Sequence, residues 1–454
     1  MQHIVCISVW AILGACLVTP HNSRIGQIAW NRGSTYYDLT PLQNKLSANA
    51  SVIYPNDTTA FDTATARWSS YDAPKVSVVV VPGSEKDVAE TVKYAADNDI
   101  PFLAVNGGHG AITTVGSMTS GIEIWMHQLH QIKIAEDGKS VTIGGGALSG
   151  NVTHDLWTVG KQTVTGGYQF LSMNIVLANG TSRTIDSSSD LWWAIQGAGH
   201  NFGLVTAVTS KIYDIEYPVW AYKHYVFTGD KVYQVYDNIN KYLLKNGTQP
   251  VDIANYGYLY NNQSISDKPT SVNIGSGNYT EIAKWVGWDF NASVCQNKVG
   301  GTASLRFPID LVIYNGTALQ NAYDLFATAV QDTPALNGSV ILIEGYATRG
   351  LQSIPQDSTA VSFRQYNLLL SPLMRYVPDG EALAAKAISV GQSLRNVLRE
   401  GTGRKDFHAY VNYAFGTETK EEMYGHEKWR QDKLLALKNK YDPYRRFSFY
   451  APIA

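Results

Sequence analysis

The stretch AVNGGHGAIT, Ala104 to Thr113, carries the residue types best suited to chemistry. Gly107, Gly108 and Gly110 follow directly on an apolar run that reads as a buried strand, with Asn106 just before them. Glycines at such a place let the backbone approach a ligand and aim successive N–H groups at an anion, as a pyrophosphate requires. His109 is unusual there, because cradling a phosphate needs no imidazole; a tight turn with an incidental histidine fits the spacing equally well. Two other glycine-rich stretches, GGGALSG (Gly144 to Gly150) and GAGHNFG (Gly197 to Gly203), miss the dinucleotide fingerprint. In the second the third glycine falls one residue late, and neither precedes a clear helix in a βαβ unit. His127 and His130 form an H-x-x-H pair without a nearby carboxylate or third ligand, so a polar turn is favoured over zinc and no metal site is expected. No nucleophile elbow, P-loop or H-E-x-x-H occurs.

The elements that must position the loop are legible around it. VSVVVV, Val76 to Val81, is a β-branched run of the kind found in strands covered on both faces. Pro82-Gly83 ends it, and Ser84 three residues before Asp87 is an N-cap signature. Val88, Val92 and Ala95 then recur at helical spacing, and a second strand at Pro101 to Val105 completes a βαβ unit. Further strands are expected at 121–125, 132–135, 141–143, 174–178 and 203–215. From about residue 218 the texture changes. Aromatic strand-like segments such as ANYGYLY and SVILIEGYA alternate with helical ones such as ALAAKAISVGQSLRNVL, which reads as a second, α+β domain. Near the end FHAYVNYA reads as a strand and EKWRQDKLLALKNKY as a helix stopped by Pro443.

With 454 residues the chain is long enough for two or three core-forming units. A hydrophobic fraction of 44%, a charged fraction of 16% and a net charge of −2 describe a folded chain without the electrostatic footprint for nucleic acid or an anionic membrane. The N-terminus has a short polar start, an apolar run from Ile4 to Val18 and then Pro20, the layout of a cleaved signal peptide over residues 1–19. Ten N-x-S/T sequons, from Asn49 to Asn337, favour passage through the secretory route and an extracellular glycoprotein. Cys6 and Cys16 fall in that leader, so Cys295 would stand alone and no internal disulfide is expected; a lone buried cysteine is favoured over a thiol nucleophile.

Taken in order, these residues resemble the FAD-linked oxidases with a vanillyl-alcohol-oxidase-type flavin domain, and the berberine-bridge-enzyme-like branch in particular. VVVVPGSEKDVAETVKYAADNDIPFLAVNGGHG is similar to that family's first βαβ unit and pyrophosphate loop. DLWWAIQGAGHNFGLVT, Asp190 to Thr206, resembles its D-L-F-W-A-x-x-G-x-G-x-N-F-G-I-V-T signature, and YVNYAFG with YGHEKWRQDKLLALKNKYDPYRRF resembles its C-terminal ending. The resemblance implies an α+β fold with a two-part FAD-binding domain, residues 20–73, 74–217 and 406–454, around a substrate domain at 218–405 of antiparallel sheet covered by helices. It implies FAD bonded through His109 and held by Asn106, Gly107, Gly108, Gly110, Gly203, Leu204, Val205 and Asn412. It also implies hydride transfer from a small-molecule alcohol such as a sugar or secondary metabolite, dioxygen as acceptor, and a monomer. Tyr410 and Tyr413 are the expected bases, a role that needs a lowered phenol pKa; strand packing is their other reading.

The chain departs from the family after GKQTVTGG, which ends at Gly167. Relatives continue there with a cysteine, a second glycine-rich segment and an Asp-Asn pair before the strand that corresponds to MNIVLANG. Here YQFLSMNIVLANG follows at once, and on the order of two dozen residues are absent, more than loop variation accounts for. The second covalent flavin ligand and several pyrophosphate-binding amides would go with them. A mis-assigned exon boundary explains the gap economically. A shortened secreted glycoprotein that has lost flavin and activity is the alternative.

Overall fold

The computed structural model describes residues 4–8, 35–164, 170–245, 247, 249–261, 272–289 and 301–454. Val78–Val81 form a strand buried at every position, and Phe102–Val105 form the strand that follows the helix Glu85–Asp97. Both pair in parallel with Ile122–Trp125, which lies between them, and Ser51–Ile53 adds an antiparallel edge. The expected cap is present: Ser84 Oγ accepts from the Asp87 N–H at 3.3 Å. The crossover helix buries Val88, Val92 and Ala95 against this sheet, so the glycine loop leaves the end of an edge strand that is paired to Ile122–Trp125 and packed in the same core.

A second, antiparallel sheet runs in the order Ser182–Ile185, Phe170–Leu177, Gly203–Lys211, Ser140–Gly144 and Ile132–Ile134. The third sheet has eight strands. Its members Asn255–Leu259, Val340–Gly345, Leu368–Tyr376 and Ala303–Arg306 are antiparallel neighbours, and Ile309–Leu311 also pairs with Leu368–Tyr376. Directly paired residues point to the same face, which sorts this sheet into two unlike surfaces. Ile341, Ile343, Leu370, Met374, Leu305 and Ile309 face the helices Gly316–Asp332 and Gly380–Glu400, packing on Phe326, Ala387 and Leu394. The opposite face carries Tyr256, Glu344, Leu369 and Asp310 in one row, with Arg306 and Arg375 further along.

One expectation meets a different outcome, and the stretch read as a leader contributes a strand. Ile4–Ser8, inside the stretch read as a leader, form a strand parallel to both Trp220–Tyr225 and Asn255–Leu259 and lie between them. An uncharged β-branched run suits an export leader and an inner strand alike. FHAYVNYA is not a strand. Its backbone partners are scattered: Asp310 N–H donates to His408 O, Ala409 N–H to Glu422 O, and Tyr413 N–H to Tyr410 O in a turn. It is largely buried, with Phe407, His408 and Ala409 buried in succession, but it makes no ladder of strand bonds. Cys295, the Gly167–Tyr168 junction and the sequons at Asn246, Asn262 and Asn291 lie outside the described residues.

The last turn of the chain is held by a buried charge. The expected C-terminal helix spans Lys428–Tyr441, and Lys438 within it is fully buried together with Asp442. Lys438 Nζ donates to Asp442 Oδ2 at 2.7 Å and to the carbonyls of Asn201 and Phe447, both at 2.8 Å. All three ammonium protons therefore find acceptors, which makes burial of the charge tolerable. Replacing one partner leaves the other uncompensated. Lys438→Met is expected to lose about 3–5 kcal/mol of folding free energy, read as a lowered midpoint in urea unfolding; a loss under about 1 kcal/mol would show that the pair contributes little.

Candidate flavin site

A cavity of about 430 Å³ opens where the three segments meet. Its walls are the strand Phe102–Val105 with Asn106, the residues Gly199–His200 and Gly203–Val205, and Asn412 with Phe447–Tyr450 from the C-terminal tail. Five residues singled out from sequence, Asn106, Gly203, Leu204, Val205 and Asn412, thus share one cavity. Asn106 Nδ2 donates to Ala147 O at 3.1 Å, which fixes the start of the glycine loop. The loop then passes beside the wall: Gly108 O accepts from Trp68 N–H at 3.0 Å, and a Cβ on Gly110 would stand 2.8 Å from the Tyr450 ring. His109 is exposed between them.

The glycines separate by cause. Gly108 needs its backbone angle, φ 66°, and Gly203 would collide with Ile175 and the Val176 carbonyl at 2.7 Å. Gly107 and Gly199 have no such reason. A Cβ on Gly107 would meet nothing nearer than Leu148 at 3.8 Å, and one on Gly199 only Ile195 at 3.5 Å. Space left open in front of glycine backbone is what a closely approaching ligand uses. Ser448, also on the cavity wall, buries its Oγ with no partner among the described residues. Open glycine backbone and an unmatched hydroxyl in a cleft at the end of parallel strands fit a dinucleotide such as FAD.

Beyond Asn412 lies the polar sheet face. Glu344 is buried there, and both its oxygens accept phenol protons, Oε1 from Tyr413 at 2.9 Å and Oε2 from Tyr346. Tyr346 in turn shares a 2.5 Å hydrogen bond with Tyr256. Burial pushes Glu344 above the usual carboxylate range, and the two phenols and the Arg306 charge offset only part of this. Tyr413 and Tyr410 are both raised, by burial first and then, for Tyr413, by the Glu344 charge. That is opposite to what a phenolate base needs, so the basic group of this cluster is Glu344. Tyr410 accepts from Asn412 Nδ2 at 2.6 Å, and its ring lies 5.4 Å from that of Tyr413. Sequence reasoning found the two tyrosines and missed Glu344, although a single carboxylate inside the apolar run SVILIEG was a visible signal. The H-x-x-H pair has another explanation: His127 stacks on Trp125 at 3.8 Å and His130 Nδ1 lies 2.8 Å from His127 O.

Residues 76–168 match the FAD binding domain family. Over the whole chain, the FAD-linked oxidoreductase chyH of Penicillium rubens is 45% identical, covering 100% of both proteins. The chain belongs to the FAD-linked oxidoreductases. The fold of this oxidoreductase is that of the berberine-bridge-enzyme-like proteins. It superposes on BBE-like 1 of Physcomitrella patens with a TM-score of 0.74 at 17% identity, covering 92% of this chain and 100% of that one. Glucooligosaccharide oxidase from Acremonium strictum, described with a 6-S-cysteinyl, 8α-N1-histidyl FAD, gives 0.73 at 15% identity over 91% and 98%. The chain is shorter than the Penicillium relative. The alignment with that protein runs over 508 positions, so it carries about fifty residues with no counterpart in this 454-residue oxidoreductase. The match to the flavin-binding family ends at Tyr168.

His200, on the cavity wall, was not singled out from sequence. Its Nε2 lies 2.6 Å from the Tyr424 hydroxyl, which accepts from Asn201 Nδ2 and donates to Ala451 O. Burial pushes its pKa down to about 4; a bond involving Ala451 opposes this and Lys438 assists it. The ring is still half-buried toward the cavity, so solvent screens part of the effect. An imidazole of folded pKa about 4 and unfolded pKa 6.5 lets the unfolded state bind protons first on acidification. Its contribution to stability is complete above pH 6.5 and is lost as pH falls toward 4. Unfolding measured across that window should become less pH-dependent in His200→Gln; an unchanged slope would show the histidine to be silent.

Proposed function

We propose that this oxidoreductase is a secreted oxidase that oxidises an alcohol carbon of a carbohydrate or secondary metabolite, with dioxygen as the acceptor. The observation that carries the reading is the Tyr413–Glu344–Tyr346 cluster beside a cavity that fits FAD. Bound there, FAD would supply the hydride acceptor and the route for electrons to oxygen. Asn106, Gly107, Gly108 and Gly110 would hold its pyrophosphate, with Gly203, Leu204, Val205 and Asn412 on the facing wall. His109 would carry a covalent bond to it, as the histidyl link described for the Acremonium enzyme supports. No counterpart of that enzyme's cysteinyl link was found in the sequence beside Gly167, so a single bond is proposed here.

The chain's own part in the reaction is proton handling. Tyr413 would orient the substrate hydroxyl and pass its proton to Glu344 Oε1, 2.9 Å away. Burial raises the affinity of Glu344 for that proton. Tyr346 would hold the second oxygen in place. Export is supported by sequons at Asn49, Asn56, Asn151, Asn179, Asn315 and Asn337, all exposed. A second reading, a glycoprotein of this fold without flavin, is favoured by the fifty absent residues alone.

Purified protein should be yellow, and flavin should remain with the polypeptide after acid precipitation. His109→Ala should release it; flavin still attached in that variant would place the bond elsewhere, and colourless folded protein would favour the second reading. Glu344→Gln should lower kcat by about 10²–10⁴-fold with flavin content unchanged. In the unsubstituted enzyme kcat/KM should fall on acidification from a pH above the ordinary carboxylate range, since Glu344 must be ionised to act. Activity in Glu344→Gln within about threefold of the parent would remove the carboxylate from the mechanism.

A further inference from the structure

The face of the sheet that carries Glu344 also carries two arginines that form no ion pair among the described residues. Some buried guanidiniums of the chain meet carboxylates, Arg67 on Glu123 and Arg395 on Glu418, and the fully buried Arg364 donates instead to carbonyls and to Thr359. Arg306 has no ion pair among the described residues. Its guanidinium is stacked between two rings, 4.7 Å from that of Trp68 and 3.8 Å from that of Tyr413. Its Nη1 is buried with no acceptor among the described residues, and the same holds for Nε of Arg375. The two belong to neighbouring strands, since Arg306 pairs with Leu373 and Arg375 with Ser304. Arg375 is held below its usual pKa by burial first and by the Arg306 charge second, so the two cations feel one another.

The nearby acid is engaged elsewhere. Both Glu344 oxygens accept from hydroxyls, of Tyr413 and Tyr346, and the Arg306 charge reaches it without a direct ion pair among the described residues. Ring faces attract a guanidinium from above and below, while Nη1 on the planar edge of Arg306 meets no acceptor among the described residues. That edge matches a carboxylate, which it can bind through two parallel hydrogen bonds. Ser304 and Ser371, on the same face, likewise bury hydroxyls with no partner among the described residues. An uncharged polyol would leave the two cations unmatched, whereas an acid would complete them.

We infer that Arg306, supported by Arg375, receives the carboxylate of the substrate, so that the molecule oxidised is a small organic acid in preference to a neutral oligosaccharide. The inference rests on the proposed oxidase reading for the substrate's fate but not for its binding. Stacking on Tyr413 would set the acid group beside the ring whose hydroxyl leads to Glu344, and the oxidised carbon would lie between them.

Calorimetric titration with benzoate and with its neutral isostere benzamide tests this on the protein as isolated. Benzoate should bind at least about tenfold more tightly than benzamide, the scale of a charge-assisted hydrogen bond. Arg306→Gln should abolish that preference, and Arg375→Gln should reduce it several-fold, with flavin content and circular dichroism unchanged. Equal binding of benzoate and benzamide by the unsubstituted protein would overturn the inference whether or not a variant folds. So would loss of flavin from Arg306→Gln with the preference intact, because the arginine would then serve the cofactor. Colourless protein that still prefers benzoate would sink the oxidase reading and leave the acid site standing.

Discussion

The buried ammonium of Lys438 decides where the end of the chain lies, and the cavity wall follows from it. Its three acceptors come from the helix itself, from Asn201 in the N-terminal half and from Phe447 in the tail. Asn201 answers in kind: its side chain donates to Ala451 O and accepts from the Ile453 N–H. Phe447 to Tyr450 are thereby laid against Gly199–Val205, and neither segment alone would enclose a ligand. A charge placed where water cannot reach it tolerates few geometries. That intolerance is useful here, because it converts a flexible terminus into a rigid wall.

The same reasoning explains the division of the large sheet. One face needs only apolar bulk, and two helices supply it. The other holds two carboxylates, two guanidiniums and several hydroxyls at low dielectric, where each unmatched group is costly. Glu344 is matched by phenols in place of a cation, so it keeps a raised affinity for protons. Had Arg306 paired with it directly, the carboxylate would have become a poor base and the arginine would have had nothing left for a ligand. The ring of Tyr413 separates the two charges and touches both.

Much of this was legible before any coordinates. The βαβ unit announced itself through VSVVVV, the Ser84 cap and the helical recurrence of Val88, Val92 and Ala95, because local periodicity and capping depend on neighbours in sequence. The glycine loop was found for the same reason. FHAYVNYA misled because an aromatic, largely buried run is not unique to strands; its backbone bonds go to scattered partners that the sequence does not reveal. Glu344 escaped because its significance depends on Tyr413, 69 residues away, and on Tyr256 across the sheet. Long-range register is what a single sequence does not write down.

The shortened segment after Gly167 bears on the cofactor more than on the fold. The strands Phe170–Leu177 and Gly203–Lys211 keep an extensive antiparallel register, and Gly203 still packs on Ile175. The sheet that backs the cavity therefore closes without the residues the Penicillium relative carries in addition. A segment of the kind the resemblance expects after Gly167 would supply amides directed at a pyrophosphate. Its absence would weaken reversible binding while leaving the glycine loop and His109 untouched. A covalent histidyl bond then matters more, since a tethered cofactor stays in place even when the noncovalent grip is poor. In this chain, retention of flavin would rest on one bond and one loop, and the buried clasp at Lys438 would keep the opposite wall within reach of both.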